Sequence, residues 1–247
     1  MTHEYGSSNI LWNKDARQLL DFVPKNTVDV TITSPPYYNM KTYDHVDGQI
    51  GYGQDFDTYK SELTKVFADV YEVTKDTGSL WVVVDNIRLN GELFLLPAEI
   101  AGWIKSSGWI LQDMLIWDKM KSRPGASGHL GFRKTYEHIL FFSKCENFKI
   151  NSESVRDYAL SRWWVKWPER YKAAGRSLTD IWSFRIPEQG TWSKWPIFKR
   201  RKLHECPFPP GLVERMLLVT TDEGDLVFDP FAGSAIALAV ADCMNRR

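Results

Sequence analysis

Residues 28–37 read Val-Asp-Val-Thr-Ile-Thr-Ser-Pro-Pro-Tyr, and this stretch sets the interpretation of the rest of the chain. Its first six residues are mostly β-branched, which favours a strand. Pro35 and Pro36 lack backbone N–H donors and end that strand. Downstream, residues 57–74 carry apolar side chains at helical spacing, and residues 80–84 are wholly apolar. A strand, a helix and a second buried strand in succession indicate an α/β fold.

The alternation continues along most of the chain. The apolar patterns predict strands over 110–117, 138–142 and 226–228, and helices over 93–106, 210–220 and 236–244. Strands that alternate with helices are typical of a parallel or mixed sheet. Continuous apolar strands predict burial on both faces of that sheet.

Composition narrows the class of protein. The chain has 247 residues, 43% apolar and 25% charged, with 31 basic and 31 acidic side chains, which excludes a disordered, collagen-like or coiled-coil chain. A nucleic-acid site must therefore be a local basic patch. The three cysteines show no metal-binding spacing and no disulfide framework, and the N-terminus has no signal-peptide pattern. We expect a cytoplasmic protein of one large domain or two small ones.

The Ser-Pro-Pro-Tyr turn suits chemistry on an amino group. Consecutive prolines make a stiff turn whose carbonyl groups point in set directions. The Ser34 hydroxyl and the Pro35 carbonyl can accept the two N–H bonds of an exocyclic amino group, which frees its lone pair, and Tyr37 can stack on a flipped base. We therefore predict catalytic roles for Ser34, Pro35, Pro36 and Tyr37. A simple strand-ending turn explains the same residues equally well.

A second motif, Asp-Pro-Phe-Ala-Gly-Ser-Ala at 229–235, follows the last predicted strand and opens a helix. Small residues let the backbone approach a ligand closely, and free N–H groups at a helix N-terminus suit a carboxylate. A tight strand-to-helix turn is the alternative, and the motif gains its value from pairing with the first.

In this order the two motifs resemble the amino-methylating DNA methyltransferases that use S-adenosylmethionine, in the permuted arrangement called the β group. In that family a (S/D)PP(Y/F/W) motif precedes the target-recognition region and a DPFxGSG motif follows it. Further stretches match the family pattern, so the resemblance covers nearly the whole chain: residues 48–51 (GQIG), 78–84, 116–119 (W-x-K), 135–144 (T-x-E-x-I), 180–183 (D-I-W) and 204–215.

The resemblance implies a Rossmann-like mixed sheet in permuted order, with S-adenosylmethionine as cofactor and no metal. Carried over by motif, the cofactor-binding set is Asp15, Thr33, His204, Phe208, Asp229, Phe231, Ala232, Gly233 and Ser234. For Asp15 the competing interpretation is an N-cap before residues 16–22.

Two departures from the family pattern stand out. Ala235 replaces the last glycine of the cofactor motif. The family also has a further strand with an acidic residue for the ribose after the helix that follows, and residues 236–247 do not supply it. We therefore expect the strand at residues 10–13 to lack a neighbour. A longer chain or a second polypeptide would complete the sheet, and we favour these two over a third arrangement in which the N-terminal segment moves across to pair directly.

Residues 149–202, here called the basic insert, interrupt the strand–helix alternation with clustered tryptophans and basic residues. We expect three regions: a catalytic half at 1–148, the basic insert as target-recognition region, and a cofactor-binding half at 203–247. The predicted contacts to double-stranded DNA are Arg162, Trp163, Lys166, Arg170, Arg200, Arg201 and Lys202. A packed subdomain with a solvated basic surface is the alternative.

These patterns predict a sequence-specific DNA methyltransferase, with N4 of cytosine favoured because serine precedes Pro-Pro. The alternatives are N6-adenine methylation, methylation of RNA or of a protein amide, and a DNA-binding module without catalysis. A C5-cytosine enzyme is disfavoured because no cysteine lies in a proline-rich nucleophile motif.

Overall fold

The computed structural model describes residues 2–5, 9–39, 48–120, 132–156, 166–170, 175, 177–186 and 209–247. Its strands are β1 (Thr2–Tyr5), β2 (Asn9–Trp12), β3 (Val28–Thr33), β4 (Thr74–Val84), β5 (Ile87–Leu89), β6 (Glu92–Phe94), β7 (Ile110–Asp118), β8 (Tyr136–Ser143), β9 (Ile181–Ser183) and β10 (Val227–Phe228). Its α-helices are α1 (Phe56–Val73), α2 (Leu96–Ser106), α3 (Pro210–Thr220) and α4 (Ile236–Cys243).

Six strands form one mixed sheet in the order β10-β3-β4-β8-β7-β9. β3 lies between β10 and β4 and runs parallel to both. β8 runs antiparallel to its neighbours β4 and β7, and β9 is parallel to β7. This arrangement confirms the predicted mixed α/β sheet. The parallel strands β10, β3 and β4 therefore deliver their carboxyl ends to one edge.

Helices cover both faces of the sheet. Side chains of α1 and α2 pack into the core on one face, and those of α3 and α4 into the core on the other. All six residues of β3 are buried, including the polar side chains of Asp29, Thr31 and Thr33, as expected for a strand covered on both faces. In the second core the Trp81 ring stacks on Phe141, with centroids 3.9 Å apart, and its indole N–H donates to the Thr220 hydroxyl.

Helix α1 shows how closely local sequence sets an element. Asp55 is its N-cap and accepts hydrogen bonds from the Thr58 backbone N–H and hydroxyl at 2.8 and 2.7 Å. The predicted apolar face, with Tyr59, Leu63 and Phe67, is buried. The helix spans Phe56–Val73, one residue displaced at each end from the predicted bounds.

The expectation that the strand near residues 10–13 lacks a neighbour is wrong. β2 pairs antiparallel with β1, from Thr2 opposite Trp12 to Tyr5 opposite Asn9, in a two-stranded sheet apart from the central one. The hairpin satisfies its backbone groups locally, and the Trp12 ring packs on Phe22 at 5.2 Å. Beside β10, the Arg247 backbone bonds the Asp225 carbonyl and the Val227 N–H at 2.9 and 2.7 Å.

A hydrogen bond joins the carboxyl ends of β3 and β10. The Thr33 hydroxyl donates to the Asp229 carboxyl at 2.6 Å, and the Phe231 N–H donates to the same oxygen at 3.0 Å. Burial raises the pKa of Asp229 to about 7, against the opposing effect of the two donors. Below that pH the folded protein therefore carries a protonated carboxyl at this junction.

Gly78 tests how tightly β4 is packed against β3. A Cβ at this position would lie 2.8 Å from the Asp29 carbonyl oxygen and 3.0 Å from that of Lys75. We expect Gly78→Ala to lower the free energy of unfolding by about 1–3 kcal/mol, because backbone must move to admit the methyl group. Gly102→Ala is the control, since a Cβ there meets nothing within 4 Å and Gly102 lies inside α2. It should stabilise by about 0.5–1 kcal/mol. Urea unfolding of both variants measures the two effects, and equal destabilisation would contradict the packing argument.

Asp229→Asn tests the buried carboxyl. Between pH 4 and 7 the folded protein keeps a proton that the unfolded chain releases, so the free energy of unfolding falls as pH rises and levels off above 7. Asparagine keeps an acceptor for Thr33 and Phe231 but does not titrate. The variant should therefore gain stability relative to wild type across this range, by at most about 4 kcal/mol. A difference that stays constant with pH, measured by urea unfolding, would show that Asp229 titrates normally.

Candidate active site

Both sequence motifs lie at the edge of the sheet where the parallel strands end. Residues 34–37 follow β3, and residues 229–235 follow β10. Asp85 and Asn86 follow β4, the neighbour of β3 on its other side. The Thr33–Asp229 hydrogen bond ties the first two turns together. The structure thus brings the predicted catalytic and cofactor motifs to one place, which is where ligands bind in open α/β sheets.

The Pro-Pro turn is anchored to α1 and to residues 48–54. Pro35 is buried, and the Pro36 carbonyl accepts a hydrogen bond from the Tyr59 hydroxyl at 3.0 Å. The Asn39 N–H donates to the Gly51 carbonyl at 2.6 Å, and the Tyr38 hydroxyl donates to that of Gln54 at 3.1 Å. No sequence pattern pointed to these roles of Tyr59 and Gln54, because contacts between a turn and a distant part of the chain leave no local pattern.

Tyr37 is held by its hydroxyl. The oxygen accepts a hydrogen bond from the Asp85 backbone N–H at 3.1 Å, and the Ser34 side chain lies close enough to act on the pKa of the phenol. Burial, with the nearby carboxylates of Glu137 and Asp85, holds the pKa of Tyr37 well above its usual value. The phenol is therefore protonated at neutral pH and does not act as a base. Ser34 and Tyr37, predicted to work together, are in direct contact.

Charged residues that follow β7, lie in β8 or precede β8 form a cluster near Tyr37. Lys119 and Glu137 form an ion pair at 2.6 Å with both side chains largely buried. Burial raises the pKa of Glu137, and Lys119 opposes that shift. The W-x-K and T-x-E stretches, separate in the sequence, are therefore joined through their charged residues. Antiparallel pairing of β7 with β8 places Trp117 opposite Glu137. Lys119 follows Trp117 by two residues, so it lies diagonally across from Glu137, within reach of its carboxylate.

A second ion pair and a histidine lie beside the first. Lys134 contacts the Asp85 carboxylate at 3.2 Å and donates to the Asn86 carbonyl at 2.7 Å. Burial lowers the pKa of His138, and its Nδ1 has no hydrogen-bond partner among the described residues. No sequence pattern pointed to a function for Asp85, Lys134 or His138. In the sequence they are distinguished only by lying at or near a predicted strand end.

The turn after β10 exposes its small residues. Gly233 and Ser234 are exposed, whereas Phe231 and Ala232 are partly buried. Gly233 has φ +51°, and Ala235, the N-cap of α4, has φ +57° in the left-handed region. Glycine adopts that region without strain, which explains physically why the family pattern has glycine where this chain has Ala235.

Asp15 has the N-cap role that the sequence left open. Its carboxylate accepts from the Arg17 backbone N–H at 2.9 Å and pairs with the Arg17 guanidinium at 2.6 Å. Hydrogen bonds from Arg17 lower the pKa of Asp15. Arg17 also bonds Glu62 at 2.7 Å and the Gly48 carbonyl at 3.0 Å, so it links this cap to α1 and the GQIG stretch. The role of Asp15 toward a cofactor stays a prediction.

Several predicted site residues lie outside the described part of the chain: His204, Phe208, Arg162, Trp163, Arg200, Arg201 and Lys202. Nothing is described of the Arg170 side chain. The Lys166 ammonium lies 5.6 Å from the centroid of the Trp167 ring. Trp182 is buried in the second core, with the Arg215 guanidinium over its ring at 5.4 Å, so this tryptophan of the basic insert is a packing residue.

The described residues show neither a metal site nor a membrane span. They contain no group of three or more His, Cys, Asp or Glu side chains arranged to hold a metal ion. Among their helices, none combines the length and apolar character needed to cross a bilayer.

Comparison with solved structures supports the fold. A DNA modification methylase of Thermus thermophilus, TTHA0409, solved in complex with S-adenosyl-L-methionine, is 27% identical with a TM-score of 0.60. The match covers 94% of this chain and 84% of that one. The cytosine-N4-specific PvuII DNA methyltransferase has a TM-score of 0.72, covering 95% of this chain and 78% of that one. Because its identity is 19%, that likeness shows the fold alone.

Sequence comparison agrees. The type II methyltransferase M.BglII of Bacillus subtilis is 26% identical over 247 residues, which cover 96% of this chain but 63% of that protein. This chain therefore spans less than two thirds of that relative. M.Cfr9I of Citrobacter freundii is 23% identical, with 96% of this chain and 81% of that protein covered.

The N6/N4 methyltransferase family profile, described as DNA methylase, matches residues 28–247. That match includes both motifs and every strand of the central sheet, and the chain belongs to this family of DNA methylases.

Proposed function

We propose that this protein is a sequence-specific DNA methyltransferase that transfers the methyl group of S-adenosylmethionine to an exocyclic amino group of a flipped base. The observation that carries the proposal is the 2.6 Å hydrogen bond from Thr33 to Asp229. It holds the turn suited to the amino group against the turn suited to the cofactor. Family membership and the S-adenosyl-L-methionine bound to the TTHA0409 structure support the same activity.

The turn after β10 fits the methionine part of the cofactor. Gly233 and Ser234 are exposed just before the N-terminus of α4, where no side chain caps the free N–H groups. Such a terminus favours a carboxylate. Phe231, Ala232 and Asp229 complete this side of the proposed site, with His204, Phe208 and Asp15 as its further members. When bound, the cofactor supplies an electrophilic methyl group on a sulfonium.

On the other side of the proposed site, Ser34 and Pro35 bind the amino group of the target base. The Ser34 hydroxyl accepts one N–H and the Pro35 carbonyl accepts the other, which pulls the nitrogen toward tetrahedral geometry and frees its lone pair. Tyr37 stacks on the base. With the cofactor bound, these acceptors would hold the amino nitrogen in line with the sulfonium methyl, so that the transfer would need no covalent enzyme intermediate and would leave a neutral thioether and one amino proton, which passes to solvent. Positioning and exclusion of water carry the catalysis.

We propose N4 of cytosine as the methylated atom. The support is Ser34 itself, because a neutral hydroxyl takes the place of the aspartate found with N6-adenine methylation in the family. The product identifies the target directly. Duplex DNA methylated in vitro and digested to nucleosides should contain N4-methylcytosine by mass spectrometry, whereas N6-methyladenine alone would refute this choice.

Ser34→Ala tests the catalytic assignment. The variant should lower kcat by about a hundredfold while the Kd for DNA stays within about twofold, because the lost contact matters mainly in the transition state. The loss includes the Ser34 contact with the Tyr37 hydroxyl. Ser61→Ala, on the exposed side of α1, is the matched control and should keep wild-type kcat. Turnover of Ser34→Ala at the wild-type rate would remove Ser34 from the site.

Salt dependence tests the basic insert. We propose that residues 149–202 bind the target DNA, with phosphate contacts of their Lys and Arg side chains supplying most of the affinity. Binding should then weaken steeply as salt rises, and charge reversal at Arg200, Arg201 and Lys202 should flatten the slope of log Kd against log salt. Charge reversal at Lys60, on the exposed face of α1, is the control and should leave the slope unchanged. An affinity for DNA that does not change with salt would exclude the insert from the interface.

A further inference from the structure

Lys134 connects the segment before β8 to the turn that follows β4. Its ammonium donates to the Asn86 carbonyl at 2.7 Å and contacts the Asp85 carboxylate at 3.2 Å. Asn86 is buried, and the Asp85 side chain is 14% exposed. The Lys134 ammonium, from the segment before β8, therefore contacts both residues of this turn.

The same turn supplies the hydrogen bond that fixes the Tyr37 hydroxyl. The donor is the Asp85 backbone N–H, 3.1 Å from that oxygen. The Asp85 carboxylate also accepts from the Asn86 N–H at 2.7 Å, which closes the turn on itself. The direction of the donor thus depends on the conformation of two residues, and Lys134 bonds one group of each. Lys119, the other cation of this cluster, pairs instead with Glu137.

We propose that Lys134 is a positioning residue for Tyr37. It holds the Asp85–Asn86 turn so that the Asp85 N–H keeps the tyrosine ring in the orientation that stacks on the target base. The role of the Tyr37 ring in stacking rests on the proposed function. The contacts that link Lys134 to the Tyr37 hydroxyl through the Asp85–Asn86 turn do not depend on it. The competing explanation is that Lys134, whose side chain is 48% exposed, binds a DNA phosphate.

Kinetics separate the two explanations. Lys134→Met should lower kcat at saturating DNA and cofactor about tenfold, since small displacements of a reacting group are costly, with the KM for DNA within about twofold. Lys134→Arg keeps the charge and donors and should recover most of the rate. The matched control is Lys25→Met, which removes the Lys25–Glu72 pair (2.9 Å) beyond the opposite end of β3 and should keep wild-type kcat.

A second variant removes the carboxylate partner of Lys134 in the turn. Asp85→Asn removes the same ion pair but keeps the backbone N–H and a side-chain acceptor. It should resemble Lys134→Met, and the double variant should show less than the product of the two separate losses, because both act on one structural element.

NMR gives a readout that does not depend on methyl transfer. With ring-labelled tyrosine, and the Tyr37 signal assigned from Tyr37→Phe, Lys134→Met should shift that signal whereas Lys25→Met should not. An unchanged Tyr37 signal would overturn the proposal. So would a raised KM with unchanged kcat and a salt slope reduced by about one, since these mark a phosphate contact. If the wild-type protein methylates no DNA, the proposed function fails while the Tyr37 signal still decides the role of Lys134.

Discussion

The hydrogen bond between Thr33 and Asp229 spans 196 positions of the chain, and the site depends on it. It forms because β10 and β3 are parallel neighbours and end at the same edge of the sheet. Taken alone, the turn after β3 and the turn after β10 are each of a kind that commonly ends a strand. Joined, they set a stiff acceptor turn beside an exposed, glycine-containing turn, and that juxtaposition gives the sequence motifs their chemical meaning.

A second layer of contacts keeps the acceptor turn in place. Tyr59 bonds the Pro36 carbonyl from α1, and the Asp85 N–H bonds the Tyr37 hydroxyl from the end of β4. Two elements, α1 and the end of β4, thus anchor residues 34–37. Behind them lie two cations and two carboxylates, paired as Lys119 with Glu137 and Lys134 with Asp85. The pairing offsets the charge that the carboxylates would otherwise place beside the tyrosine.

Local sequence predicted those parts of the structure that local physics controls. The bounds of β3 and α3 agree with prediction, because prolines fix one end of each and apolar periodicity the rest. The meeting of the two motifs followed from the rule for parallel strands. A strand was predicted at residues 10–13, close to β2, but β1 and its pairing with β2 were missed, because a four-residue strand carries little pattern of its own. The Lys119–Glu137 pair and the Asp85 contact with Tyr37 depend on strand order and register, which no local pattern encodes. For Asp15, the N-cap interpretation was as accessible from sequence as the cofactor one, and the structure shows that cap.

The sheet order has a consequence for when the site forms during synthesis. β10 is made some two hundred residues after β3, yet they are neighbours. On the ribosome, the acceptor turn therefore emerges long before its partner turn. The long loop that must close before β10 docks makes this a late, slow step of folding. Until then one side of β3 is an unpaired edge that needs protection from aggregation. A nascent chain therefore has no complete site until β10 has docked.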